Sequence, residues 1–133
     1  MTGVVAALRA VGARRVAVGT AYTPDIDDLE RDYRSPGDSP VANITGLGLM
    51  TDVEMNRVTP GTLFELAVSL DSPSVDAVFL SCGALRSLDI VEAVEQRIGK
   101  PVICSNRASF WHCLRLACID DRIDGFGSLL RDH

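Results

Sequence analysis

The sequence has no C-x-x-C pair, no block of lysine and arginine, no apolar run long enough to cross a membrane, and no repeat or low-complexity segment. Each gap excludes something. The four cysteines, Cys82, Cys104, Cys113 and Cys118, are unpaired by any metal or disulfide spacing, so neither a zinc site nor a disulfide framework is indicated and no metal is expected. Without clustered basic residues and with a formal net charge of −5, neither nucleic acid nor an anionic membrane is an expected partner. The start Met1-Thr2-Gly3-Val4 lacks the charged n-region of a signal peptide, which makes a cytoplasmic location with reduced thiols the expectation. A small molecule or another protein remains as the partner class.

What is present is enough for one domain with its own core: 133 residues, 47% of them hydrophobic. Strand-like and helix-like runs alternate along it. Val4–Val11 reads as a helix stopped by Gly12, and Arg15–Thr20 as the first strand. Pro24 opens a helix reaching Tyr33 or Arg34, with Asp25, Asp27 and Asp28 in its favoured acidic first turn. Ser35–Pro40 is a cluster of breakers, and Val41–Thr45 is a weakly apolar strand suited to a sheet edge. Residues 46–58 read mostly as a loop that lies over the site. Thr59 and Pro60 then start a helix with Leu63, Leu66, Ala67 and Leu70 on one face. The strand Ala77–Ser81 precedes a helix from about Ser87 to Ile98, with Leu88, Val91, Val94 and Ile98 inward and Gly99 as its stop. Pro101–Cys104 is the fourth strand, and Ser105 or Asn106 caps a last helix to about Leu116. The expected fold is α/β, a four-stranded parallel sheet with helices on both faces.

The stretch that carries most information is residues 76–86, DAVFLSCGALR. An apolar strand breaks there at Ser81-Cys82-Gly83, and the ends of parallel strands are where open α/β sheets bind ligands. Thr20–Tyr22 and Ser105-Asn106 end neighbouring strands in the same way, so one pocket can collect all three. Cys82 is the candidate for chemistry. Tyr22 offers a phenol, Asn106 an amide, and the backbone around Ser81, Gly83 and Ala84 offers N–H groups of the kind that hold a carboxylate. Each also has an ordinary reading: a free cysteine is commonly a small core residue, Tyr22 a loop aromatic, Asn106 a helix cap. His112 reads as structural, Cys104, Cys113 and Cys118 as core or interface thiols, and Arg57 and Glu54 as solvated loop charges.

The segments SCGALRSLDIVEAVE, GKPV and SNRASFWHCLRL, with GARRVAVGTAY and GLGL-x-TD-x-EM-x-RV upstream, together resemble the aspartate/glutamate racemase superfamily. Within it they resemble the branch of maleate isomerase, arylmalonate decarboxylase and the ectoine-utilisation proteins. The resemblance spans nearly the whole chain and only the C-terminal half of those two-half enzymes, a flavodoxin-like unit. It implies cofactor-independent proton transfer beside the carboxylate of a small carboxylic acid, with Cys82 as the second of two catalytic cysteines. It also implies Tyr22 and the Gly83 N–H as donors to the carboxylate or enediolate. The first half's cysteine or glycine position and Thr/Ser donors have no counterpart here. Oligomerisation or a separate N-terminal half is therefore expected, and the alternative is a non-catalytic domain that only folds and associates.

Overall fold

The computed structural model describes residues 2–34 and 40–133; of the breaker cluster at 35–40, all but Pro40 lie outside them. The elements are α1 (Thr2–Ala10), β1 (Val16–Thr20), α2 (Pro24–Arg34), β2 (Val41–Gly46), α3 (Asp52–Asn56) and α4 (Pro60–Ser69). There follow β3 (Ala77–Ser81), α5 (Val91–Ile98), β4 (Val102–Cys104), α6 (Ser105–Leu116) and α7 (Ser128–Asp132). The four strands form one parallel sheet in the order β2-β1-β3-β4.

The order follows from composition. β1 and β3 are buried at every position, as strands covered on both faces must be, and both are apolar nearly throughout. β2 is mostly exposed and takes an edge. Successive residues of a strand point to opposite faces. Ala17, Val78, Leu80 and Val102 thus meet α4 and α5 on one side, and Val16, Val18, Phe79 and Ile103 meet α1, α6 and α7 on the other. Phe79, Leu63, Leu80, Ile103 and Leu129 are fully buried, each worth about 1.5–3 kcal/mol on the area scale.

Four local expectations are corrected. The helix placed from Ser87 begins at Val91, because Ser87–Asp89 forms a single 3-10 turn; Leu88 consequently points outward and is 45% exposed. Residues 46–58 contain α3, started by a reciprocal Thr51–Glu54 capping box. The tail adds α7, which docks Leu129 and Leu130 into the core. Finally, Cys104 is the N-cap of α6 and gives it no side-chain bond, so neither Ser105 nor Asn106 is the cap.

The β4 edge is closed by side chains. The Val102 N–H donates to Glu95 Oε1 at 2.9 Å, and Arg107 Nη2 donates to the Val102 carbonyl. The same carboxylate accepts from the Ser128 amide at 2.7 Å and its hydroxyl at 3.0 Å. Arg107 Nη1 donates to the Phe126 carbonyl, and the Gly127 N–H to Glu92. Burial pushes the Arg107 guanidinium below its ordinary pKa, with Cys104, Glu95 and Glu92 pulling the other way; it stays cationic at neutral pH. Gly127 sits inside this network at φ +81°, where a Cβ would overlap Arg107 Nη1 and lie 2.6 Å from Val91 Cγ1. Gly127→Ala is expected to cost about 3 kcal/mol through overpacking and backbone strain; urea unfolding at equilibrium measures it.

Candidate functional site

Register brings the site residues to one edge. Thr20 pairs with Ser81, and Leu80 with Cys104, so the segments after β1, β3 and β4 leave the sheet side by side. Cys82 leaves β3 with φ 121°, a conformation that costs an L-residue about 1–3 kcal/mol and persists where the surroundings impose it. One restraint is the Ser105 hydroxyl, which accepts the Cys82 N–H at 3.3 Å. The other is Met55, whose Sδ receives the Cys82 thiol at 3.6 Å. Cys82 and Met55 are each only 6% exposed.

Met55 comes from α3, so the segment over the site is a short capped helix set down on the thiol. Glu54 fastens it by accepting the N–H groups of Met50 at 3.1 Å and Thr51 at 3.0 Å. Those bonds, Met50 first, hold the Glu54 carboxyl below its ordinary 4.5. A lowered carboxyl stabilises the fold above its unfolded-state pKa, and the contribution fades as pH falls through the folded value. The hold of α3 on the thiol is thus full at neutral pH and weakens in acid below about 4.5. Met55→Ala removes the cover, and we expect Cys82 to react with iodoacetamide several-fold faster than in the parent protein. Peptide mass mapping of the four cysteines checks this.

Tyr22 follows β1 and packs, half-buried, against the same apolar cluster as Cys82. Its loop is tied down by hydrogen bonds on both sides. Buried Thr20 donates its hydroxyl to Asp27 Oδ1 at 2.5 Å and accepts the Tyr22 N–H at 3.2 Å. The Tyr22 carbonyl accepts from Gly48 at 3.0 Å. A Cβ at Gly46 would overlap both Asp27 and that carbonyl, so β2 can close on the loop only without a side chain there.

Gly83 is exposed, and its carbonyl accepts Asn106 Nδ2 at 2.9 Å. Asn106 thereby orients the turn after the thiol. Ala84 is half-buried against the core, and Ser81 is buried at the strand end. All six sequence-expected residues therefore lie on the edge formed by β1, β3 and β4, or on the turns leaving it. Sequence reasoning missed Met55 and the Ser105 bond to Cys82. The T-x-x-E spacing of Thr51 and Glu54 carried a signal for the first; nothing local marked the second.

Cys104 is buried, whereas Cys113 and Cys118 are exposed. His112 stacks on Trp111 with ring centroids 6.2 Å apart. Among the described residues no group of three or more His, Cys, Asp or Glu is placed to hold a metal ion, and no helix is long and apolar enough to cross a membrane. Met50 and Val53, beside the thiol's cover, are 83% and 61% exposed. The arrangement gathers one thiol, covered by Met55, one tyrosine and the turn of Gly83 and Ala84 along a single edge of the sheet.

Residues 1–130 match the family model described as arylmalonate decarboxylase. The chain is 38% identical over 118 residues to the arylmalonate decarboxylase of Bordetella bronchiseptica, covering 87% of this chain and 49% of that enzyme. It superposes on the maleate isomerase Iso of Pseudomonas putida S16 with a TM-score of 0.93 at 29% identity, covering 98% of this chain and 53% of the other. The TM-score is also 0.93 against a cysteine-to-serine mutant of Nocardia farcinica maleate cis-trans isomerase holding a covalently bound succinylcysteine intermediate, at 27% identity over 98% of this chain and 54% of the other. The chain spans about half the length of the curated relatives it matches.

Proposed function

The chain belongs to the arylmalonate decarboxylase family, and from that premise we propose that it is the thiol-bearing half of a cofactor-independent isomerase or decarboxylase acting on a small carboxylic acid. Cys82 delivers or accepts the proton at the substrate carbon, or adds to its double bond. Tyr22 and the amides of Gly83 and Ala84 hold the carboxylate, while Ser81 and Asn106 shape the turn between them. The observation that carries this reading is the strained, restrained thiol of Cys82 at the end of β3, in line with the loop of Tyr22.

The chemistry requires such a grouping. A carbanion next to a carboxylate survives only as an enediolate surrounded by preorganised donors, each worth about 3–4 kcal/mol when removed. One edge supplies some of them. A second α/β unit, from another copy or from a companion half, supplies the rest and covers Met50 and Val53, which the fold leaves in water. The expected location is the cytoplasm, where the thiol stays reduced.

The test is to follow maleate and phenylmalonate by proton NMR with the parent protein, alone and mixed with the N-terminal half of the Bordetella enzyme. Conversion of either acid supports the reading. No conversion in either mixture assigns the chain instead to folding and association alone. Sedimentation at tens of micromolar is expected to show a dimer or larger species, since an interface worth about 8 kcal/mol is occupied there; a clean monomer argues against self-association.

A further inference from the structure

A cleft of about 430 Å³ opens beyond the β4 edge, and its walls do not include Cys82. That volume lies in the range of small-molecule sites. Leu85 and Leu88 from the turn after β3, Phe110 of α6, and Ile123, Phe126 and Leu130 of the tail make it apolar. Leu88, Phe110 and Phe126 are 45%, 51% and 40% exposed. Three of the large apolar side chains left in water therefore converge on one cavity.

Its inner end is polar and unfinished. Cys104 and Asn106 line it at the start of α6, a 12-residue helix whose N-cap makes no side-chain bond. The first N–H groups of such a helix have no partner within it. Arg107 also lines the cleft; its side chain is 0% exposed, and its Nε–H has no acceptor. Glu95, 3.9 Å from Nη2, already accepts from Val102 and Ser128. Buried donors without an acceptor are costly and uncommon. An anionic group at this end would meet the first amides of α6 and lie close to the buried guanidinium charge.

We propose that the cleft is a second ligand site, separate from the Cys82 site, for an amphipathic carboxylic acid. Its aryl or alkyl body lies on Leu88, Phe110 and Phe126, and its carboxylate sits at the first turn of α6 beside Arg107. Asn106 spans the two sites, since its amide also holds the Gly83 carbonyl.

The experiment is an NMR titration of the isotope-labelled protein with 4-phenylbutyrate and its neutral amide. Saturable binding of the acid is expected, with shifts at Asn106, Arg107 and Phe126 and about tenfold weaker binding of the amide. Phe110→Asp, at an exposed position, is expected to weaken the acid about tenfold by placing a like charge in the wall. Cys82→Ala is expected to leave this affinity unchanged, which separates the proposal from the fate of the catalytic reading. Absence of binding, equal binding of acid and amide, or loss of binding with Cys82→Ala overturns it. So does a dimer that Phe110→Asp splits without altering ligand affinity, because the cleft is then filled by a second copy.

Discussion

If the proposed turnover of a maleate- or arylmalonate-like acid is found, Cys82→Ser is expected to lower it by a factor of about 10²–10⁴, the span that a positioned proton donor or acceptor contributes. Serine nearly matches the thiol in size and keeps the backbone, so the loss tests acidity and nucleophilicity separately from packing. A thiol is a much stronger acid and a better nucleophile than a hydroxyl, and that difference is what the substitution removes. Cys82→Gly sharpens the test. Glycine accepts φ 121° without penalty, which offsets the lost contact with Met55, so its stability is expected to stay near that of the parent while turnover disappears. Rates from NMR and unfolding curves on the same samples measure both. A serine variant with full activity sinks the assignment of Cys82.

Glu95→Ala is expected to destabilise the fold by about 3–5 kcal/mol, the usual cost of removing one partner from a buried ion pair. The carboxylate accepts from the Val102 amide and from the Ser128 amide and hydroxyl, and it lies beside Arg107. Its removal leaves a buried guanidinium held by the Val102 and Phe126 carbonyls, with Glu92 as the remaining acidic neighbour. For a chain of 133 residues the melting temperature is expected to drop by roughly 10 °C or more, readable by circular dichroism. The double change Glu95→Ala with Arg107→Met checks the mechanism. If the charge left behind is the cost, the pair should recover part of the loss; no recovery would mean that the hydrogen bonds at Val102 and Ser128 carry it.

Much of this fold is legible in the sequence because its central strands have only one use. The apolar runs at Val16–Thr20 and Ala77–Ser81 fit a doubly covered strand, and Thr59-Pro60 marks a helix start that the structure keeps. The strand ends follow, and with them Cys82, Tyr22 and Asn106 on one edge. Contacts made across distance are less legible. Met55 reaches Cys82 from 27 positions away, and Ser105 reaches the Cys82 amide from 23; no local period records either. Leu88 misleads for a different reason. Its spacing fits a helical stripe, but the chain spends Ser87–Asp89 on a tighter turn that rotates the residue outward. The tail's anchoring by Glu92 and Glu95 is equally silent, because a solvated helical glutamate and a buried one look alike in sequence.

The two edges of the sheet differ in how they treat polymerisation. At Val102 the outward amide and carbonyl are already taken by Glu95 and Arg107, so a new strand arriving there finds little to bond. Among the described residues β2 has no strand on its outer side, and four of its six residues are exposed. Head-to-tail addition, β2 of one molecule onto β4 of the next, is therefore blocked at its second half. Any strand exchange between molecules must join β2 to β2, which a two-fold axis allows only in antiparallel orientation. Among the described residues such a joint uses up both open edges and stops at two copies, which works against growth into a fibre.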